Sequence, residues 1–358
     1  MTCDCDYIVK DFSGKFEEHY DNCSSKGCVK TAPDGTLLLR NPHLSSLQTD
    51  VLYHLGFDSS QDLPGMFGDV KFVCMGGTKQ RMRDFAEHMR QVLGTGPGQL
   101  VNLTKKSHRY AMYKVGPVLA VSHGIGIPSM SILLQEVLKL LHYARAPRPL
   151  VVRIGTSGGL GLPPGAVVVS SWGANASGER VYELPILGVV RKFPSQFDTR
   201  VSQELVSMAR EEDPFPTTLG GTMAADDFYR GQARQDGPFC DHSEQDKMAY
   251  LQQLRHQGVR NIEMEATAFA ALTREAGVRA ADVCVTFLDR LHGDQVSGIV
   301  VEKREREREI LQRGITCMTI RNLPGQTAGR SGDREQGDAD SLAKETYDHR
   351  RPIHQPIL

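Results

Sequence analysis

Long apolar runs are missing from this chain of 358 residues, and none reaches the roughly 18 residues that span a bilayer. The opening MTCDCDYIVKDFSGK is acidic and polar, where a secretory signal is basic and then apolar. Both absences lead to the expectation of a soluble, cytoplasmic protein with no membrane partner. An excess of charge of one sign is missing too. Lys and Arg number 42 against 43 Asp and Glu, a net charge of −1, so nothing in the balance calls for nucleic acid as a partner. The expected ligand is small. Cysteine is sparse: eight in this length cannot make a disulfide scaffold, and in a reducing compartment most stay thiols. Cys74 and Cys284, set in apolar runs, read as small core residues. Cys3, Cys5, Cys23 and Cys28 form C-x-C and C-x4-C pairs, but no second tight pair or H-x3-H follows at finger-like distance, so no metal is expected. Internal repeats are absent as well.

What is present is an alternation of short β-branched runs with helical patterns. VKFVCMGG (70–77) precedes RMRDFAEHMRQVLG, and VLAVSHG (118–124) precedes SILLQEVLKLLHYAR. LVVRIGTSGG (150–159), AVVVSSW (166–172) and VCVTFLDRL (283–291) add three more strands. Near-continuous apolar strands belong to a sheet covered on both faces, which is the α/β class. YAMYKVGPVLAVSH is split by Gly116-Pro117 and predicts a hairpin, so the sheet should be mixed. Helices over SEQDKMAYLQQLRHQG and EATAFAALTREAG each end at a glycine able to take the left-handed capping conformation. Residues 1–40 are polar and aperiodic and are expected to be a disordered extension. The folded domain is expected over 41–300, a charge-dense helical segment containing EKREREREILQR over 301–321, and a disordered tail over 322–358.

Three strands are expected to end in glycine-rich turns: Met75–Thr78, His123–Gly126 and Gly155–Gly159. Ligands of α/β sheets bind beyond the carboxyl ends of strands, where glycine lets backbone N–H groups approach an anion. None of the three is followed by Gly-Lys-Ser/Thr, and Gly124-Ile125-Gly126 lacks the third glycine of a dinucleotide fingerprint. Arg81 and Arg109 stand beside these turns and would by default be surface residues. Arg153 differs, because a guanidinium inside LVVRIGT keeps its charge and so requires a bound anion or a buried carboxylate partner. Thr156 could add a hydroxyl. In Asn261-Ile262-Glu263-Met264-Glu265 the two acids either complement the start of a helix or offer a carboxylate to a sugar diol. Asp227–Arg234 is either a polar loop or an aromatic platform beside an amide and a guanidinium that can read a planar base edge.

The stretches LYHLGF, FGDVKFVCMGG, RYAMYKVGPVLAVSHGIGIPS, VRIGTSGGLGLPPG, DFYRGQARQDG, GVRNIEMEATAFAA and VCVTFLDRLHGDQ occur in one order between Asn41 and Gln295. In them the chain resembles the animal uridine phosphorylases. The resemblance implies a single-domain nucleoside phosphorylase fold with a central mixed sheet flanked by helices. It also implies a homodimer with shared active sites, and phosphorolysis of uridine, with deoxyuridine as a second substrate, in pyrimidine salvage and catabolism. By matching position it gives phosphate to Gly77, Arg81, Arg153 and Thr156, with Arg109 lent by the neighbouring subunit. Met264 and Glu265 would hold the ribose, and His54 of the neighbouring subunit its 5′ hydroxyl. Gln232 and Arg234 would bond the uracil edge with Phe228 stacked on the ring, so that Gln232, Arg234 and Glu265 carry the catalysis. Inorganic phosphate is then a co-substrate, and no cofactor is implied.

The sequence departs from the family pattern twice. Lys106-Ser107-His108 stands where Gly-Thr-Asp is usual before the arginine matched by Arg109, and the resemblance is expected to end near Val296. Two rivals follow. Asp289 lies where related purine phosphorylases protonate the base, although the Gln232 and Arg234 pair favours a pyrimidine. The altered C-terminal stretch would also suit a catalytically weak, nucleoside-binding regulatory homologue, since fold and site are separable.

Overall fold

The computed structural model describes residues 31–296 without 97–98, 106, 211 and 214, together with two short strands, Ile8–Lys10 (β1) and Phe16–Glu17 (β2). The expectations for 301–321 and 322–358 lie outside the described residues. No helix among the described residues is long and apolar enough to cross a membrane.

A small antiparallel pair, Val51–Leu52 (β3) and Phe57–Asp58 (β4), leads into a short helix, Leu63–Phe67 (α1). Phe72–Gly76 (β5) is buried along its whole length, as its unbroken apolar sequence predicts. Thr78 then caps helix Lys79–Val92 (α2), accepting from the Arg81 N–H at 3.1 Å. Met112–Val115 (β6) and Val118–Ser122 (β7) form the expected hairpin, with Gly116 at φ +50° in its turn. Gly126, at φ +83°, opens helix Ile127–Tyr143 (α3). Leu133, Leu134, Val137, Leu140 and Leu141 of this helix are fully buried in the main core beside Phe67, Val151 and Phe269. Burying each such side chain stabilises by about 1.5–3 kcal/mol.

Leu150–Gly159 (β8) and Val167–Ala174 (β9) follow, then a partly buried hairpin of Val181–Ile186 (β10) and Val189–Pro194 (β11). The rest comprises Thr199–Val206 (α4), Thr217–Ala224 (β12), Glu244–His256 (α5), Val259–Glu263 (β13), Ala266–Ala276 (α6) and Arg279–Asp289 (β14). A Ser243/Asp246 capping box starts α5, and glycines at φ +95° (Gly258) and +72° (Gly277) lie just past α5 and α6. The central sheet has eight strands in the order β13-β12-β9-β14-β8-β5-β7-β6. Its β5, β7, β8 and β14 neighbours run parallel, whereas β6–β7, β14–β9 and β13–β8 are antiparallel, so the mixed sheet is as expected.

Two expectations are corrected. Described residues inside the expected extension are packed: Ile8 and Val9 of β1 pair with a later strand, Leu37 is buried in the main core, its carbonyl lies 2.7 Å from His142 Nδ1, and Arg148 N–H donates to the Gly35 carbonyl. Leu37 and Leu39 pack on the core, but a run of three leucines in a polar stretch is too short to show a period. Gly155–Gly159 is no turn but the last half of β8, paired with β14 and β13. Its glycines serve close packing. A Cβ on Gly155 would meet Cys284 Sγ at 2.7 Å, and one on Gly158 would meet Arg290 Cγ at 2.7 Å.

Candidate active site

The carboxyl ends of β5, β7, β8, β13 and β14, with the loop after β12, enclose a cavity of about 470 Å³. This is where ligands of such sheets bind. Gly77, Arg81, Arg153, Thr156, Phe228, Gln232, Arg234, Met264 and Glu265 all line it. Residues separated by up to 188 positions in the chain are thereby brought to one place.

At the strand end of the cavity, Arg153 is 2% exposed and sits opposite Asp282 of β14 and Met75 of β5 in the sheet register. Its Nη2 pairs with Glu263 at 2.7 Å and with Glu265, while Nη1 donates to Asp282 at 2.7 Å. Of the two partners expected for a buried arginine, the structure supplies carboxylates, three of them. This qualifies the phosphate contact implied for Arg153. Both terminal nitrogens are already engaged, so an anion would meet its Nε or displace Glu265. Glu263, Asp282 and Cys284 also carry possible ligand atoms within 4.8 Å of one another, but Arg153 bonds to all three and supplies the positive charge itself.

The two acids flanking Met264 divide their work. Glu263 accepts the backbone N–H groups of Glu265 (2.8 Å) and Ala266 (2.9 Å), which is the helix-start reading. Glu265, in the N-cap position, makes no side-chain cap bond. Its carboxylate instead accepts from Gly126 N–H and Arg153 and lines the cavity, as a sugar-facing acid must. Their acidities separate as well. Burial pushes Glu263 up to about 8, with Glu265 and Asp282 adding to the shift and Arg153 opposing it. Burial would raise Glu265 too, but Arg153, His123 and the Gly126 N–H outweigh it and hold it below the usual carboxylate range. At neutral pH one acid keeps its proton and the other is charged.

At the loop end, Arg234 donates through Nε to Asp236 (2.8 Å) and through Nη2 to the Asp294 carbonyl (2.6 Å). Its guanidinium lies 4.5 Å over the Phe228 ring, and Phe228 is 45% exposed beside Tyr229. Gln232 is buried and held by Arg290, whose Nη2 donates to the Gln232 carbonyl at 2.7 Å and Nη1 to its side-chain Oε1 at 3.4 Å. Arg290 Nε in turn donates to Asp294, which also pairs with Lys247 at 3.0 Å. Sequence reasoning singled out neither Arg290 nor Asp294. Their only signal is the polar tail of RLHGDQ after an apolar strand. It also passed over His123, a cavity-lining histidine 1% exposed inside a stretch read only as a turn.

His54 and Arg109 do not line the cavity. His54 Nδ1 lies 2.6 Å from Glu136, whose carboxylate also accepts the His54 and Leu55 backbone N–H groups. The His54 ring is 6.4 Å from that of Tyr110, the neighbour of Arg109, and Arg109 is exposed. Asp289 also stays out of the cavity lining. Its Oδ1 accepts the N–H groups of Gly161 and Leu291, and its Oδ2 lies 2.9 Å from His292 Nδ1.

The family model described as "Phosphorylase superfamily" matches residues 71–316. That match runs on past Val296 and corrects the expectation that the resemblance ends there. The chain is 42% identical to uridine phosphorylase 1 of Mus musculus over 303 residues, 82% of this chain and 93% of the relative. It is 38% identical to inactive uridine phosphorylase B of Schistosoma mansoni over 299 residues, 83% of this chain and 96% of the relative. Among solved structures, a crystal structure of uridine phosphorylase from Schistosoma mansoni in complex with uracil superposes with a TM-score of 0.75 at 39% identity, covering 80% of this chain and all of that one.

Proposed function

This chain belongs to the Phosphorylase superfamily, among the uridine phosphorylases, and from that premise we propose that it cleaves uridine with inorganic phosphate, giving uracil and ribose 1-phosphate. Deoxyuridine is the second substrate of the reading, pyrimidine salvage and catabolism its setting, and the cytoplasm its place. The observation that carries it is the convergence in one cavity of a strand end lined by Gly77, Arg81, Arg153 and Thr156, a Glu265 held below the usual carboxylate range and a buried Gln232–Arg234 pair under an exposed aromatic ring.

Cleavage of the glycosidic bond develops positive charge on the sugar and negative charge on the departing base. Gly77, Arg81, Arg153 and Thr156 hold the phosphate dianion, where several charge-assisted donors can share it. Glu265 fixes the ribose hydroxyls and Met264 packs on the sugar. Gln232 and Arg234 receive the charge that collects on uracil, with Phe228 against the ring face. Phosphate serves as nucleophile and counter-charge, so the reaction needs positioning more than acid–base chemistry and no cofactor.

That His54 and Arg109 are both missing from the lining of the cavity fits a homodimer in which each subunit lends these two to its neighbour. Co-refolded His54→Ala and Arg153→Ala chains, each inactive alone, would then regain activity in verified heterodimers. Failure to regain any counts against sharing. A second reading, a weak nucleoside-binding homologue, is favoured by the Lys106-Ser107-His108 departure and by the resemblance to a relative named inactive. Incubation of the full chain with uridine, with and without phosphate, separates the two. Phosphate-dependent uracil release supports the enzyme, whereas binding without release supports the homologue.

A further inference from the structure

His123 is the one residue among the described set whose two side-chain nitrogens are both buried and both without a hydrogen-bond partner. The Gly124 backbone stands near enough to act on the ring as a weak hydrogen-bonding neighbour, yet it does not reach hydrogen-bond geometry with either nitrogen, and no other atom does. Burying two such groups unpaired is unfavourable, and native structures keep them so where a ligand completes the pairing. The ring borders the cavity.

The backbone of His123 is clamped from both sides. Its N–H donates to the Gly76 carbonyl at 2.7 Å, and its carbonyl accepts from Ser129 Oγ at 2.6 Å. These bonds tie the residue to the end of β5, where the phosphate loop begins, and to the first turn of α3. Arg153, Glu265 and Arg81 are the charged groups that act on the ring, so it stands among the residues assigned to phosphate and to ribose. A ring fixed there, with no well-formed bond to the protein at either nitrogen, is preorganised for the substrates.

We propose that His123 is a positioning residue joining the two substrates, donating from one ring nitrogen to phosphate and accepting a ribose hydroxyl at the other. This rests on the phosphorylase reading of the cavity. The chemistry of the ring agrees with it. Burial pushes His123 down to about 3, Arg153 and Arg81 push the same way, and Glu265 opposes them, so the imidazole is uncharged at neutral pH. An uncharged imidazole has one donor and one acceptor. A donor suits the dianion, and an acceptor suits a hydroxyl whose other partner is Glu265.

Two variants of the full chain test the role, His123→Phe, which keeps a ring without polar atoms, and His123→Gln, which keeps a donor and an acceptor. His123→Phe should raise the KM for phosphate about tenfold or more and lower kcat/KM for uridine in step, as loss of a positioned bond does. His123→Gln should recover most of both. In the parent, phosphate alone should move one ring-nitrogen NMR resonance that is absent from the His123→Gln spectrum, a readout a merely structural histidine would not give. If His123→Phe does not fold, the His123→Gln kinetics and that resonance carry the test. A parent that turns over uridine while its variants keep the parental phosphate KM, with no histidine resonance moved by phosphate, overturns the role of His123 alone. A parent without phosphate-dependent uracil release overturns the reading beneath it.

Discussion

The two ends of the cavity are built by different means. At the strand end, Arg153 is set by β-sheet register between β5 and β14, and its three carboxylates come from β13, the start of α6 and β14. At the loop end, Arg234 sits in a turn that follows a left-handed Ala233 (φ +53°), held by the Asp236 carboxylate and the Asp294 carbonyl, with Lys247 and Arg290 fixing the Asp294 side chain. Phe228 and Tyr229 are exposed there, whereas the residues bonded to Arg153 are buried. An arginine locked into a sheet is part of the fold first and of the site second. An arginine held by a loop network can be removed at the expense of the site alone.

The largest effect expected from this contrast is at Arg153. Arg153→Met leaves Glu263, Glu265 and Asp282 buried together without a cation, and should destabilise the protein by about 3–5 kcal/mol, the range for removing one partner of a buried pair. Urea denaturation of parent and variant measures it. A loss below about 1 kcal/mol would mean that the three acids do not depend on Arg153, erasing the contrast. Arg234→Ala should instead leave stability nearly parental and lower kcat/KM for uridine about a hundredfold, the scale for losing a donor to a developing anion. Phosphate KM should change little. Cytidine should be a poor parental substrate, because its amine would face a donor.

The strand end should also carry a pH dependence near neutrality, whereas the lowered Asp236 and Asp294 of the loop end act only in acid. Glu263 titrates at about 8 when folded against an ordinary 4.5, so its contribution to stability is complete below 4.5 and is lost as pH rises through about 8. His123 runs the other way, at about 3 against 6.5, so its contribution is present above 6.5 and falls away toward pH 3. Between 4.5 and 6.5 the two slopes oppose each other. Between about 7 and 8 Glu263 acts alone, and one proton gives at most about 1.4 kcal/mol per pH unit. Glu263→Gln should flatten the fall of stability with pH in that interval. Parallel curves for parent and variant would show that Glu263 is already ionised at pH 7.

Much of the strand end was legible in the sequence. Apolar runs marked β5, β7 and β8, and a charged residue inside LVVRIGT demanded a partner, since burying a lone guanidinium is prohibitive. The identity of those partners was not legible. Asp282 meets Arg153 only through the register of two strands 129 positions apart, and no local pattern encodes that. β12 went unseen because TTLGGTMA has two central glycines, which weaken a strand signal. One of them, Gly221, is where a Cβ would strike Trp172 at 2.1 Å, so packing rather than propensity placed it. At the loop end the resemblance supplied Phe228, Gln232 and Arg234, but Arg290 and Asp294 follow an apolar strand as ordinary surface polarity would.

The smallest expected effect tests how far the loop end tolerates change. Phe228 contributes a ring face with no hydrogen bond, already covered on one side by the Arg234 guanidinium and edge-on to Tyr229. Removing the ring while keeping an apolar side chain, as in Phe228→Leu, takes away stacking but not desolvation. Aromatic contacts of this kind contribute about 0.5–1.5 kcal/mol beyond the area they bury. Uridine kcat/KM should therefore fall about two- to tenfold. Because stacking acts on the bound base as well as on the departing one, most of the change should appear in the KM for uridine and little in kcat. Stability should hardly move, since the ring is 45% exposed. Steady-state kinetics beside a thermal melt would decide. A large loss of kcat with KM unchanged would mean that Phe228 acts through Arg234, steadying the guanidinium by their 4.5 Å contact rather than holding the base.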